Sequence, residues 1–281
     1  MTYVILFAAG VVGASLALSG AALQTVLRNP LAEPYILGLV GGASLGVALA
    51  FGAGWVLVSP LWIPVMALLG ACLSLVLVCV VSFFAARTQR RRAFNGGTVI
   101  LAGFVAGSLT NSLQMLVLSF ATPEQSAAAY KWVWGDLQDV RLPAVCVSAI
   151  VLVIAFTALY SQSRKLNALV LGEDVARSLG VDVRRTQLIA LGAASLATAV
   201  SVALAGAVGF LGLVVPHVVR RTLGANHRIY LPASFVCGGV LLVFMQILSS
   251  SLLPAAVPLG VVCALVGAPF FLWLLTRRSR A

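Results

Sequence analysis

Side chains that do chemistry are thinly spread along this chain. Both histidines, His217 and His227, fall in or beside a basic connection, and neither belongs to a His-x-x-x-His or His–carboxylate spacing that would hold a metal. The seven acidic residues avoid the long apolar runs, so neither an intramembrane proton relay nor a carboxylate cage is expected. The five cysteines, Cys72, Cys79, Cys146, Cys237 and Cys263, lie inside or at the edge of apolar runs without Cys-x-x-Cys spacing, the pattern of small buried hydrophobes. A phosphate-binding loop needs Gly-Lys-Ser/Thr, whereas the two lysines, Lys131 and Lys165, follow Tyr130 and Arg164. No catalytic residue, metal or cofactor is expected in this chain, and any ATP acting on it is expected on a separate subunit.

Three polar segments carry more specific local chemistry. In Gln24–Gly38, Asn29-Pro30 and Glu33-Pro34 exclude a continuous helix and predict a stiff reversal between two apolar runs. In Asn167–Val181, Gly172 breaks the chain, and Glu173 and Asp174 then occupy the first turn of a short helix, where negative charge suits the N-terminal dipole. Val175 and Leu179, four apart, form a small apolar face with Ala176, and Gly180 caps the C-terminus. So short a helix is marginal alone and needs a surface to pack on. In Gly206–Arg221, glycines recur at 206, 209 and 212 and predict a smooth helix surface, which Pro216 and His217 then end.

The elements that must position these segments are membrane spans. Hydrophobic residues make up 61% of the chain and charged residues 9%, proportions that suit neither a soluble core nor a soluble exterior. A span needs roughly 20 apolar residues, and apolar runs of that length cross as helices rather than barrel strands. The expected spans are Tyr3–Leu23, Ile36–Val58, Leu61–Ala86, Thr98–Phe120, Leu142–Tyr160, Gln187–Ala205, Leu231–Leu252 and Val257–Leu275. Gly209–Val219 is too short to cross as a straight helix and is read as a half-helix joined to irregular backbone inside the bundle. The predicted fold is an all-α polytopic bundle of about nine crossings, one of them short and broken, forming a single transmembrane domain over residues 1–281. The start, Met1-Thr2-Tyr3, has no basic region, so a cleaved signal peptide is not expected.

Charge sets the orientation. Sixteen of the eighteen Lys and Arg residues fall in connections 24–35, 87–97, 161–186 and 220–230 and the tail 276–281, while Lys131 and Arg141 lie in 121–141. The positive-inside rule puts the first group in the cytoplasm and 121–141 outside. Because the basic residues sit in gaps between apolar runs, the net charge of +11 does not describe a nucleic-acid surface.

An ordered set of motifs runs through the whole chain: ALSGAALQTVLRNPLAEPYILGLVGGASLG at 17–46, TVILAGFVAGSL at 98–109, WVWGDL at 132–137, LNALVLGEDVARSLGV at 166–181, GAVGFLGLVVPHVVRRTLGANHRIYLPAS at 206–234 and VPLGVVCALVGAPFFLWLL at 257–275. Together they resemble the FecCD-type permease family, which imports iron–siderophore complexes, haem and cobalamin through ATP-binding cassette (ABC) transporters. The resemblance implies a multi-pass permease in a bacterial inner membrane, surrounded by lipid and paired with a second permease. Two ATPase subunits and an extracytoplasmic binding protein complete the expected assembly. Carried over by position, Gly172, Glu173, Asp174, Ala176, Leu179 and Gly180 would form the coupling helix that docks on an ATPase subunit. Gly20, Gln24, Asn29, Pro30, Gly38, Gly209, Gly212, Pro216, His217, Arg220, Pro258, Gly260, Gly267 and Pro269 would be structural motif positions.

The sequence departs from the family at two places. The usual first span with its basic segment is absent, which fits either a nine-span form or a start placed too far downstream. Met245, Ser249 and Ala256 stand where the family often has Asp, Arg and Glu, so an outward arginine for the binding protein is missing. A non-identical second permease that keeps this arginine is therefore preferred over a homodimer. The absence of acidic residues from the spans suits a bulky ligand passing by shape, and it leaves iron–siderophore, haem and cobalamin open. An ATP-independent carrier and a non-transporting membrane scaffold are the alternatives.

Overall fold

The computed structural model describes residues 2–88, 96–138, 140–252 and 257–278. Among them every regular element is helical: α1 Thr2–Val26, a 3₁₀ turn Pro34–Leu37, α2 Leu39–Gly52, α3 Trp55–Val58, α4 Trp62–Thr88, α5 Gly96–Ser119, α6 Pro123–Val133, α7 Leu142–Ser161, α8 Ser163–Val170, α9 Glu173–Ser178, α10 Val183–Ala205, α11 Leu211–Leu223, α12 His227–Leu252 and α13 Leu259–Arg278. Arg90, Arg91 and Arg92 of the expected cytoplasmic connection, and Ala256, lie outside the described residues.

Two helices make the centre. The apolar stretches of α1 and α10 are each 72% buried, against 28–33% for those of α4, α5, α7 and α12. Their composition explains this, because Ala, Gly and Ser dominate both and let backbones approach closely. The Ser19 and Thr198 hydroxyls join them at 2.7 Å, and Thr198 also donates to the Ala194 carbonyl. The peripheral helices turn Leu, Val, Ile and Phe outward, as lipid-facing surfaces do.

Six described helices are long and apolar enough to cross a membrane, and Leu39–Gly52 and Leu259–Leu272 are shorter apolar helices. Length and composition therefore do not reach the nine crossings read from the sequence. The clearest difference is the expected span Ile36–Val58, which is a 3₁₀ turn, the 14-residue α2 and the one-turn α3. Gly38 (φ 70°) and Gly54 (φ 71°) punctuate it in left-handed backbone that breaks a helix. A further element lay hidden in 121–141, where α6 starts on a capping box: the Thr122 hydroxyl accepts from the Gln125 N–H, and the Gln125 amide oxygen accepts from the Thr122 N–H.

The half-helix near the end is present. Residues 206–210 are irregular, Phe210 adopts φ 69°, and α11 follows. Two expectations for this region are corrected. Gly206 and Gly209 precede the helix, so only Gly212 lies on its surface. Pro216 and His217 do not end it; Pro216 sits inside α11, which continues to Leu223. As the sixth residue of α11, Pro216 has no N–H to give the Gly212 carbonyl four residues back, and the Gln24 side chain donates to that carbonyl instead (3.2 Å).

Candidate functional site

Helix α9 is short, and its sequence defines both ends. Gly172 (φ 125°) is its N-cap, and Glu173 and Asp174 fill its first turn. Arg177 bonds to both carboxylates at 2.8 Å, one and nearly one turn away. At the far end the Gly180 N–H donates to the Arg177 carbonyl (3.0 Å) and the Val181 N–H to the Ala176 carbonyl (3.0 Å). With Gly180 at φ 78°, this is a Schellman closure, which satisfies carbonyls that the helix leaves unpaired.

One face of α9 is fixed to the bundle. Ala176 is fully buried. Glu173 accepts from the Gln187 side chain of α10 (3.2 Å), and Arg28, just past α1, lies 3.9 Å from it. The other face is apolar and open: Leu171, Val175 and Leu179 are 67%, 43% and 63% exposed. Ala176 therefore does not share the face of Val175 and Leu179, with which spacing had grouped it. Its one-carbon side chain instead lets α9 lie close to the bundle.

The reversal after α1 builds a second junction. Arg28 takes φ 49° and the Asn29 N–H returns to the Gln24 carbonyl (3.2 Å), closing α1. The Asn29 side chain then accepts from the Leu31 N–H (2.9 Å), fixing the turn through Pro30. Beyond it the chain meets the irregular segment 206–210. Glu33 Oε1 accepts from the Phe210 N–H at 2.7 Å. The Tyr35 hydroxyl donates to the Val208 carbonyl (2.9 Å) and accepts from the Val208 N–H (2.7 Å). Burial pushes the Glu33 carboxyl above its usual range, and the Phe210 N–H partly offsets this. Gln24 adds bonds to the Gly212 and Leu213 carbonyls at 3.2 and 3.4 Å.

Motif glycines mark where backbones touch. A Cβ on Gly20 would strike the Gly212 carbonyl oxygen, and one on Gly212 would lie 2.5 Å from the Pro34 ring. A Cβ on Gly38 would lie 2.8 Å from the Gly103 carbonyl of α5. A Cβ on Gly260 would meet the Ala207 and Trp134 carbonyls, which brings the WVWGDL, GAVGF and VPLG motifs together. Gly267 gives way to the Phe210 side chain, and Gly209 lies beside Glu33 Oε1. The Pro258 carbonyl accepts the first amides of α13, from Val261 and Val262, while Pro269 lies inside that helix.

The contacts made by several connecting residues, Arg220 of the motif positions among them, escaped the sequence reading. His227 is fully buried at the start of α12, with Nε2 2.8 Å from the Thr25 hydroxyl and Nδ1 2.7 Å from the Asn167 side-chain oxygen. That oxygen only accepts, so Nδ1 carries a proton. His227 thus ties α1, α8 and α12 together, while His217 lies within α11. Arg220 stands 5.0 Å from the Tyr230 ring centroid and donates to its hydroxyl at 3.3 Å. The only sequence hint of these roles was polar residues bordering apolar runs. At the positions that depart from the family, Met245 is buried and Ser249 donates to the Val257 carbonyl at 2.9 Å.

The model of the FecCD transport family matches residues 2–277. The cobalamin import system permease protein BtuC of Halobacterium salinarum is 37% identical over 95% of this chain and 70% of its own length. The vitamin B12 import system permease protein BtuC of Vibrio cholerae is 36% identical over 97% of this chain and 80% of its own. A solved inward-facing structure of a metal-chelate type ABC transporter superposes with a TM-score of 0.86 at 30% identity, covering 97% of this chain and 85% of that one.

Proposed function

The chain belongs to the FecCD transport family, and from that membership we propose that it carries an iron–siderophore, haem or cobalamin-type ligand into the cytoplasm. It is a polytopic permease of ABC importer type and not an enzyme. The proposed setting is a bacterial inner membrane, with nine crossings, the N-terminus outside and α9 in the cytoplasm. Two ATPase subunits bind beneath, a binding protein delivers ligand from outside, and a second permease completes the path.

The observation that carries this reading is the two-sided character of α9. A capped helix, seated on α10 and the end of α1, presents Leu171, Val175 and Leu179 outward. Those side chains are the apolar anchors an ATPase cleft would cover, and Arg28–Glu173–Gln187 is a route for its movement into the central helices. In this reading Glu173, Asp174 and Gly180 shape the coupling helix, Ala176 seats it and Leu179 docks it. ATP binds the ATPase subunits, and no cofactor belongs to this chain.

A non-identical second permease is the proposed partner. It would supply the outward arginine that Ser249 replaces here, where the Ser249 hydroxyl is instead engaged with the Val257 carbonyl. The carrier alternative needs an ion-coordinating cluster, and among the described residues no group of three His, Cys, Asp or Glu is gathered. Reconstitution with the cognate ATPase and binding protein tests all of this. ATP-dependent uptake of cobalamin, haem or a ferric siderophore identifies the ligand. Uptake without the ATPase would establish the carrier, and two tagged copies of this chain in a fully active complex would establish a homodimer.

A further inference from the structure

Helix α11 begins beside the middle of the bundle rather than at its end. Gly212 lies against Gly20, still within α1, and α10 ends only six residues before α11 starts, at Ala205. The five residues between are irregular backbone inside the bundle, where each unpaired N–H or carbonyl would be costly. The Gly206 N–H turns back to the Val202 carbonyl and the Ala207 N–H reaches the Val133 carbonyl of α6, while the partners of Val208 and Phe210 come from one short segment of the reversal. Glu33 takes the Phe210 N–H at 2.7 Å, and the Tyr35 hydroxyl holds both the N–H and the carbonyl of Val208, at 2.7 and 2.9 Å. Phe210 is kept at φ 69°, which disfavours a bulky side chain. Beside Phe210 lies an apolar pocket of about 220 Å³, lined by Phe210, Val214, Met245, Cys263, Gly267 and Phe270. The start of α11 is thus clamped by the reversal and borders unfilled apolar space.

We infer that Glu33 and Tyr35 are positioning residues of the transport cycle: they clamp residues 206–210, and release of that clamp lets the start of α11 move into the cavity beside Phe210 as the substrate path changes state. This rests on the importer reading above. The strained Phe210 backbone supplies a tendency to relax, the two side chains oppose it, and the cavity gives the ring somewhere to go. The arrangement has two discrete states rather than a continuous range, because the clamp bonds are either made or lost.

The test uses the reconstituted complex with its ATPase and binding protein. Glu33→Leu removes the acceptor for Phe210, and Tyr35→Phe removes both Val208 bonds. Each is expected to lower the ligand transported per ATP hydrolysed by roughly tenfold, the order expected for losing one or two buried hydrogen bonds, while basal hydrolysis stays within about twofold. Glu33→Gln keeps an acceptor oxygen and is expected to retain transport within about threefold. An unchanged coupling ratio in both Glu33→Leu and Tyr35→Phe overturns the clamp. Should those variants fail to accumulate, the native clamp is probed instead through Cys263, in a chain whose other four cysteines are serine. N-ethylmaleimide is expected to label Cys263 at different rates in nucleotide-free and vanadate-trapped complexes. Equal rates overturn the inference. A complex that hydrolyses ATP yet transports none of the three ligand types counts against the importer reading, and Cys263 labelling then decides the clamp by itself.

Discussion

Gly20 of α1 and Gly212 of α11 meet backbone to backbone, with the Gly212 carbonyl oxygen occupying the place a Cβ on Gly20 would take. The obstacle is main chain, not a flexible side chain, so the helices themselves must move to admit a methyl group. Gly20→Ala is expected to destabilise the protein by about 1–3 kcal/mol, the usual cost of overpacking. Gly192→Ala in α10, where a Cβ meets nothing within 4 Å, is the control and should be neutral. Thermal aggregation of the detergent-solubilised variants measures both. Equal melting for the two would mean that the α1–α11 contact is not tight.

The C-terminal closure of α9 gives a second prediction. Gly180 has open space around it but a positive φ, so side-chain identity acts only through the backbone. Gly180→Val is expected to strain the closure by about 1–2 kcal/mol and to lower ligand-stimulated ATP hydrolysis with normal protein in the membrane. Gly180→Asn, which tolerates left-handed backbone, should stay near wild type. Glu173→Arg should also lose coupling, since it removes the contacts to Gln187 and Arg28 and places a cation at a helix N-terminus. Normal uptake in Gly180→Val and Glu173→Arg together would take α9 out of the mechanism.

Orientation is tested by single cysteines in a cysteine-free chain. Ala127→Cys on α6 should react with an impermeant maleimide from outside intact cells, and Arg184→Cys at the start of α10 should react only after the cells are opened. Both side chains are exposed in the fold, so accessibility reports sidedness rather than burial. The reverse pattern would invert the topology.

His227 provides a stability prediction. His227→Leu removes the ring's hydrogen bonds to the Thr25 hydroxyl and the Asn167 side-chain oxygen, which keep only the Ala21 carbonyl and the residue-227 N–H as partners. At about 0.5–1.5 kcal/mol per hydrogen bond lost, a drop in melting temperature is expected. A variant that melts with wild type would show that water replaces the ring at no loss.

What the sequence determined by itself is the local part. Apolar runs marked α1, α4, α5, α7, α10 and α12, because lipid demands about 20 apolar residues per helix wherever the chain goes. Gly172, Glu173, Asp174 and Gly180 marked both ends of α9, since caps and dipoles act within one turn. The facing of residues was less legible. Val175, Ala176 and Leu179 looked like one apolar face, and only packing sent Ala176 inward and the other two outward. Ile36–Val58 read as one span because hydropathy does not register that Gly38 must bend where the backbone of α5 passes. The clamp was illegible altogether: Glu33 and Phe210 are 177 positions apart, and nothing local to either announces the other. Irregular backbone inside a bundle must find its hydrogen-bond partners wherever the fold brings them, so the tertiary structure alone decided that Glu33 and Tyr35, on a reversal between helices, hold the start of α11.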